Sequence, residues 1–184
     1  MKVPIPVGVK LSVEQCPKAQ EEEDDMSRVP YLSAVGSLMY AMVCTRPEIS
    51  HEVGVLSKFM SKPVKENWTT VKRVFRYLRG TSDYGLYYQG RSGLDRVLDI
   101  HGFVDAEWAG DLVQRRSTSG YVVNLFGGAV NWMSKKQSVV ALSTTEAEYM
   151  AATHASIWLH KLCSSMGLVQ GDIRIFFWLR RIGM

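Results

Sequence analysis

Apolar residues recur at helical spacing between positions 31 and 80 and alternate from position 98 onward, so the chain changes period near its middle. Residues 31–44, dense in apolar side chains and free of internal proline, predict a helix. Pro47, tolerated in a first helical turn, starts a second helix that aligns Ile49, Val53, Leu56 and Met60 and ends before Pro63. A third, over about 67–79, puts Val71, Val74, Phe75 and Leu78 on one stripe and stops at Gly80. A polar, glycine-containing break at 90–93 marks a domain boundary. Beyond it Leu98, Ile100, Gly102 and Val104 alternate with Asp99, His101, Phe103 and Asp105, which predicts a strand with two distinct faces. Residues 121–126 and 129–133 predict two more strands around a Gly127 and Gly128 turn, and 139–142 ends or continues the third. A helix over about 145–166 follows, with Ser143 or Thr144 as its cap.

Composition narrows the class. In 184 residues, 46% hydrophobic and 22% charged, there is room for one ordinary domain and part of another. No apolar run reaches membrane-spanning length, and MKVPIPVGVKLS lacks the basic and then apolar regions of a secretory signal, so an intracellular protein with no membrane partner is expected. Cys16, Cys44 and Cys163 are odd in number and widely spaced, which argues against both disulfides and a zinc site. The net charge of +4 is unevenly placed: residues 31–92 carry 9 basic and 4 acidic side chains, whereas 93–184 carry 9 and 8. The excess therefore sits on the helical part. Lys72, Arg73, Arg76 and Arg79 occupy the polar faces of the third helix, where they suit the phosphates of a nucleic acid and equally suit solvent. The acidic run at 21–25 reads as a solvated linker.

Two carboxylates stand out by position. At about 100° per residue, Glu148, Ala152, Ala155, Leu159 and Leu162 fall within roughly 40° of one line, so Glu148 projects along the stripe that faces the core, while Glu146 lies about 200° away toward solvent. A carboxylate on that stripe needs a partner, because an unpaired buried charge is costly. Asp105 ends the alternating strand, a place where aspartate is usually a turn former, as Asp99, Glu107 and Asp111 illustrate. Arg115, Arg116, Ser117, Thr118 and Ser119 fall at the turn after that strand; they suit phosphates or 2′-hydroxyls, and a plain polar hairpin has the same spelling. The four histidines show no ligand spacing and receive no role.

In order, GFVDAEWAGD, RRSTSGYVV, GGAVNWMSKKQ and VALSTTEAEYMAA resemble the ribonuclease H domain of copia-type retrotransposon Pol polyproteins. YLSAVGSLMYAMVCTRPEIS and VFRYLRGTSDYGL resemble the region that ends the reverse transcriptase of the same polyproteins, and the resemblance runs to about Phe176. It implies an α/β fold: at 93–184 a truncated ribonuclease H-like domain made of a three-stranded antiparallel meander, a helix and a partial fourth strand, with a divergent tail at 177–184. A mostly helical thumb/connection-like segment at 31–92 precedes it, and 1–30 holds a linker and the end of the reverse transcriptase core. The resemblance further implies that Asp105, the first acid of DAEWAG, and Glu148 are the catalytic, metal-binding carboxylates, taking Mg²⁺ or Mn²⁺ to hydrolyse RNA in an RNA–DNA hybrid. The implied partners are the hybrid or another nucleic acid and the rest of the polyprotein, in the cytoplasm or a virus-like particle.

Two departures qualify this. The family places a third acid in a Cys-Asp-Asn or Cys-Asp-Ser element after an IRIF-like stretch, and Trp178 stands at that place here. The stretch THASIWLHKL is about three residues short, a slip of only some 60° that a helix survives. The expectation is a Pol fragment related to metal-dependent hybrid hydrolysis but with little or no nuclease activity, because the third and fourth acidic ligands are missing. Its alternatives are a non-catalytic nucleic-acid-binding remnant or the unstable product of a decayed gene.

Overall fold

In the computed structural model the described residues are 4, 25–89, 100–111, 114–165, 167 and 174–177. Two compact units divide the chain between Gly85 and Leu86. The expected boundary at 90–93 lies outside the described residues, as do the linker run at 21–24 and the tail from 178 on.

The first unit is helical. Helix α1 (Tyr31–Cys44) buries Tyr31, Val35 and Leu38, one face at successive turns. The predicted second helix is broken into a 3₁₀ turn (Pro47–Ile49), α2 (Ser50–Leu56) and a second 3₁₀ turn (Ser57–Phe59), yet Ile49, Val53 and Leu56 still face inward. Helix α3 (Lys65–Gly80) is longer than predicted and buries Asn67, Thr70, Val71, Val74 and Tyr77. Phe75, placed on the stripe by sequence, is exposed instead. Val71 and Val74 join Met26, Phe59 and the inward residues of α1 and α2 in one apolar cluster. Two polar ties cross it. Tyr31 Oη donates to Leu56 O at 2.9 Å, and burial pushes that phenol up to about 12. Buried Arg46 donates to Glu48 and to Thr81 Oγ1, both at 2.5 Å, with its guanidinium 5.7 Å from the Tyr77 ring, so the α1–α2 turn is tied to the end of α3.

The second unit is a four-stranded sheet in the order β3-β2-β1-β4. Strands β1 (Ile100–Glu107), β2 (Thr118–Leu125) and β3 (Gly128–Lys136) form the predicted antiparallel meander, and β4 (Arg174–Phe177) pairs parallel to β1. Between β2 and β3 the turn falls one residue earlier than predicted, with Phe126 and Gly127 both at positive φ, 52° and 80°, the conformation a two-residue hairpin requires. Gly128 is instead the first residue of β3. A Cβ there would come within 2.3 Å of the Tyr88 ring, which Tyr88 holds in place by donating its hydroxyl to Ala129 O. Residues 139–142 form an exposed connection rather than a strand, apart from buried Ala141.

Helix α4 (Thr144–Ser165) lies on the face of the sheet carrying Ile100, Val104, Tyr121 and Val123. Its buried line is Ala147, Ala151, Ala155, Leu159 and Cys163, one residue earlier than the sequence stripe at its start and one residue later at its end. The observed line is a strict four-residue repeat, which winds about 40° per step and follows a twisted sheet better than a straight stripe does. Thus the architecture is α/β, a helical segment followed by a ribonuclease H-like meander, helix and partial fourth strand. Among the described residues no helix is long and apolar enough to cross a membrane.

Candidate two-carboxylate site

Asp105 lies near the end of β1, opposite Gly120 of β2. Opposed residues of an antiparallel pair share a face, so no side chain stands directly across β2 from Asp105, and this pair alternates with Val104 and Tyr121, which face α4. Among the described residues β4 pairs with β1 from His101 to Val104. Two residues on, the Ala106 N–H donates to the Glu148 carboxylate, which comes from the second turn of α4. One hydrogen bond therefore ties the helical acid to the residue adjoining the strand acid.

Glu148 is half-buried at the border of the helix's packed face, and its Oε2 is enclosed without a hydrogen-bond partner. Burial raises its pKa above the usual carboxylate range; the Ala106 bond opposes the rise, and the Asp105 charge adds to it. A hard cation near Glu148 would offset the effect of the Asp105 charge and give the orphaned oxygen a partner. As a donor set, two carboxylates with one unpartnered oxygen fit part of a divalent-cation shell. Among the described residues no third His, Cys, Asp or Glu completes the group. Trp178, where the family resemblance places that third acid, is outside the described residues.

The start of α4 is fixed as its sequence suggests. Ser143 Oγ accepts from Glu146 N–H at 3.1 Å, and Glu146 Oε2 accepts from Leu142 N–H at 2.6 Å. Trp108 Nε1 donates to Ala141 O at 3.1 Å just before this turn. Glu146 itself is exposed, as its angle predicts.

The proposed contacts to nucleic acid separate into two groups. On α3, Lys72, Arg76 and Arg79 are exposed and Arg73 is half-buried, with Lys72 Nζ 6.0 Å from the Trp68 ring. After β1, Arg115 is exposed at φ 54°, while Arg116 and Thr118 are half-buried. Ser117 and Ser119 correct the sequence reading, since both are fully buried. Ser117 Oγ accepts from Ala109 N–H at 3.1 Å and Ser119 Oγ accepts from Gln137 Nε2 at 2.9 Å, so both hydroxyls serve the interior. The sequence reading missed Gln137 entirely. It ends a basic run, which hides that its amide is buried beneath α4.

No family model matches the chain, and no solved structure does. Among known proteins it is 47% identical, over 179 residues, to the retrovirus-related Pol polyprotein from transposon TNT 1-94 of Nicotiana tabacum, covering 96% of this chain and 13% of that protein. It is 42% identical over 134 residues to the corresponding polyprotein from transposon RE2 of Arabidopsis thaliana, covering 73% and 9%. The secreted RxLR effector protein 161 of Plasmopara viticola is 54% identical over 137 residues, 73% of this chain and 94% of that protein. The chain thus spans only a small part of the polyproteins it matches. Its similarity to these polyproteins, over 96% of its own length in one case and 73% in others, shows that it belongs to the copia-type retrotransposon Pol family.

Proposed function

We propose that the sheet unit is a ribonuclease H-type domain whose Asp105 and Glu148 are the remaining carboxylates of a Mg²⁺- or Mn²⁺-dependent site for the RNA strand of an RNA–DNA hybrid. The observation that carries this reading is the Glu148 carboxylate bonded to Ala106 N–H beside Asp105 with its second oxygen unpartnered. Asp105 and Glu148 would hold the ions, which when bound supply activation of water and stabilisation of the departing oxygen. The chain's own part is placement. Ala106 N–H orients Glu148, and Gly120 sets no side chain across from Asp105.

With Trp178 at the place the family resemblance gives to a third acid, the coordination shell lacks that ligand. Loss of one member of such a unit costs several powers of ten in rate, so the chain itself has little or no nuclease activity. Lys72, Arg73, Arg76 and Arg79, with Arg115, Arg116 and Thr118, contact the sugar-phosphate backbone. The remaining Pol domains are its partners in the intact polyprotein.

Incubation of the chain with a labelled hybrid in Mg²⁺ or Mn²⁺ tests this. The expected result is cleavage at background and salt-sensitive binding, with log affinity falling by roughly 0.9 per log unit of salt for each phosphate contacted. Robust cleavage abolished by Asp105→Asn keeps the two carboxylates and refutes the inactivity; robust cleavage indifferent to Asp105→Asn removes the site. A second reading, a purely nucleic-acid-binding remnant, is favoured by the exposed cations of α3. It predicts that charge reversal at Arg76 and Arg79 abolishes binding while Asp105→Asn leaves binding and its Mg²⁺ dependence unchanged.

A further inference from the structure

The connection leading into α4 has little apolar grip. Val139, Val140 and Leu142 are exposed, and the buried line of α4 begins with three alanines, which allow close approach to the sheet but make few contacts each. Yet the start of this helix must hold Glu148, in its second turn, within hydrogen-bonding reach of β1. The structure shows a directional hold at that start. Gln137, just beyond β3, is 1% exposed and donates from Nε2 to Ala147 O and to Ser119 Oγ, both at 2.9 Å. Its backbone N–H donates to Ser117 O at 2.9 Å. One side-chain amide thus spans β2, the end of β3 and the residue preceding Glu148.

We propose that Gln137 is the positioning residue of the two-carboxylate site, fixing the first turn of α4 so that Glu148 reaches Ala106 beside Asp105. Space filling alone does not explain it. The Oε1 of Gln137 is enclosed without a partner, and a methionine of similar volume fills the same space with no orphaned acceptor. Both Nε2 bonds stay within the protein, so Gln137 touches neither metal nor substrate and acts through Glu148. The inference rests on the proposed function for its purpose, and on the hydrogen bonds alone for its geometry.

The Ala106 amide signal in the full chain reads that geometry without any metal. Gln137→Met, compared with the parent and with Glu148→Ala, is expected to shift the Ala106 amide proton most of the way to its Glu148→Ala position, while Tyr121 and Val123 amides stay protected. Mn²⁺ titration of the same samples is expected to show at least a tenfold weaker dissociation constant. Should Gln137→Met fail to fold, Ser119→Ala removes one of the two acceptors and is expected to move the Ala106 amide in the same direction by a smaller amount. An unmoved Ala106 amide in whichever of these variants folds overturns the proposal. A parent chain in which Mn²⁺ does not broaden Asp105 and Glu148 defeats the proposed function instead, and leaves the Ala106 readout to judge Gln137.

Discussion

The two units are held together by different means. In the helical unit, Tyr31, Leu38, Ile49, Leu56 and Phe59 fill a core of large side chains, and the buried Arg46 is paired with Glu48 and Thr81. In the sheet unit, the first half of the buried line of α4 is alanine, and Ser117, Ser119 and Gln137 are buried within the unit. Large side chains bring more area out of water and so more stability, whereas small and polar ones bring close approach and direction. The first unit is held by large side chains and the start of α4 by small ones, and the proposed site lies at that start.

Residue-resolved hydrogen exchange on the full chain breaks or sharpens this contrast, because each unit reports separately. The largest effect is expected for Leu38→Ala, a fully buried residue, which lowers protection of α1–α3 amides by about 2–5 kcal/mol and leaves the sheet amides unchanged. An equal loss in both units contradicts the contrast. Next comes Ala155→Leu, expected to cost about 1–3 kcal/mol in the sheet unit, because the close approach of α4 leaves no room for a larger side chain. A neutral outcome shows that the alanine line is loosely packed. Smaller again is Ser143→Ala, expected to cost roughly 1 kcal/mol by removing the α4 cap and to fray the turn that precedes Glu148.

The smallest effect is one of pH, and it belongs to the helical unit. Glu52 is half-buried with Oε2 unpartnered, and burial is the main cause that raises its pKa above the ordinary 4.5. The folded state therefore binds the proton more tightly than the unfolded chain does. Stability from this group is full below the unfolded value and declines as pH rises through the window from 4.5 to the raised folded value. Urea unfolding followed on α1–α3 signals is expected to show that decline in the parent and a flatter profile in Glu52→Gln. Equal profiles remove Glu52 as its source.

The sequence carried the alternation of β1, the meander and the angle that separates Glu148 from Glu146, because period and face follow from backbone geometry alone. What it missed depends on distant neighbours. The break of the second predicted helix into 3₁₀ turns and the exposure of Phe75 follow from how α1–α3 meet. The one-residue offset of the α4 stripe follows the twist of the sheet, and Ser117, Ser119 and Gln137 look like surface polar residues until β2 and α4 close over them. Asp105 and Glu148 were legible singly, whereas the bond from Ala106 to Glu148 needed the packing of α4 on β1 to be seen.

The most direct measurement is Mn²⁺-induced broadening of backbone amides in the full chain, alone and with Asp105→Asn. Broadening that starts together at Asp105, Ala106 and Glu148 and vanishes in the variant is the outcome predicted. Broadening at one acid without the other, or undiminished in Asp105→Asn, contradicts a shared site.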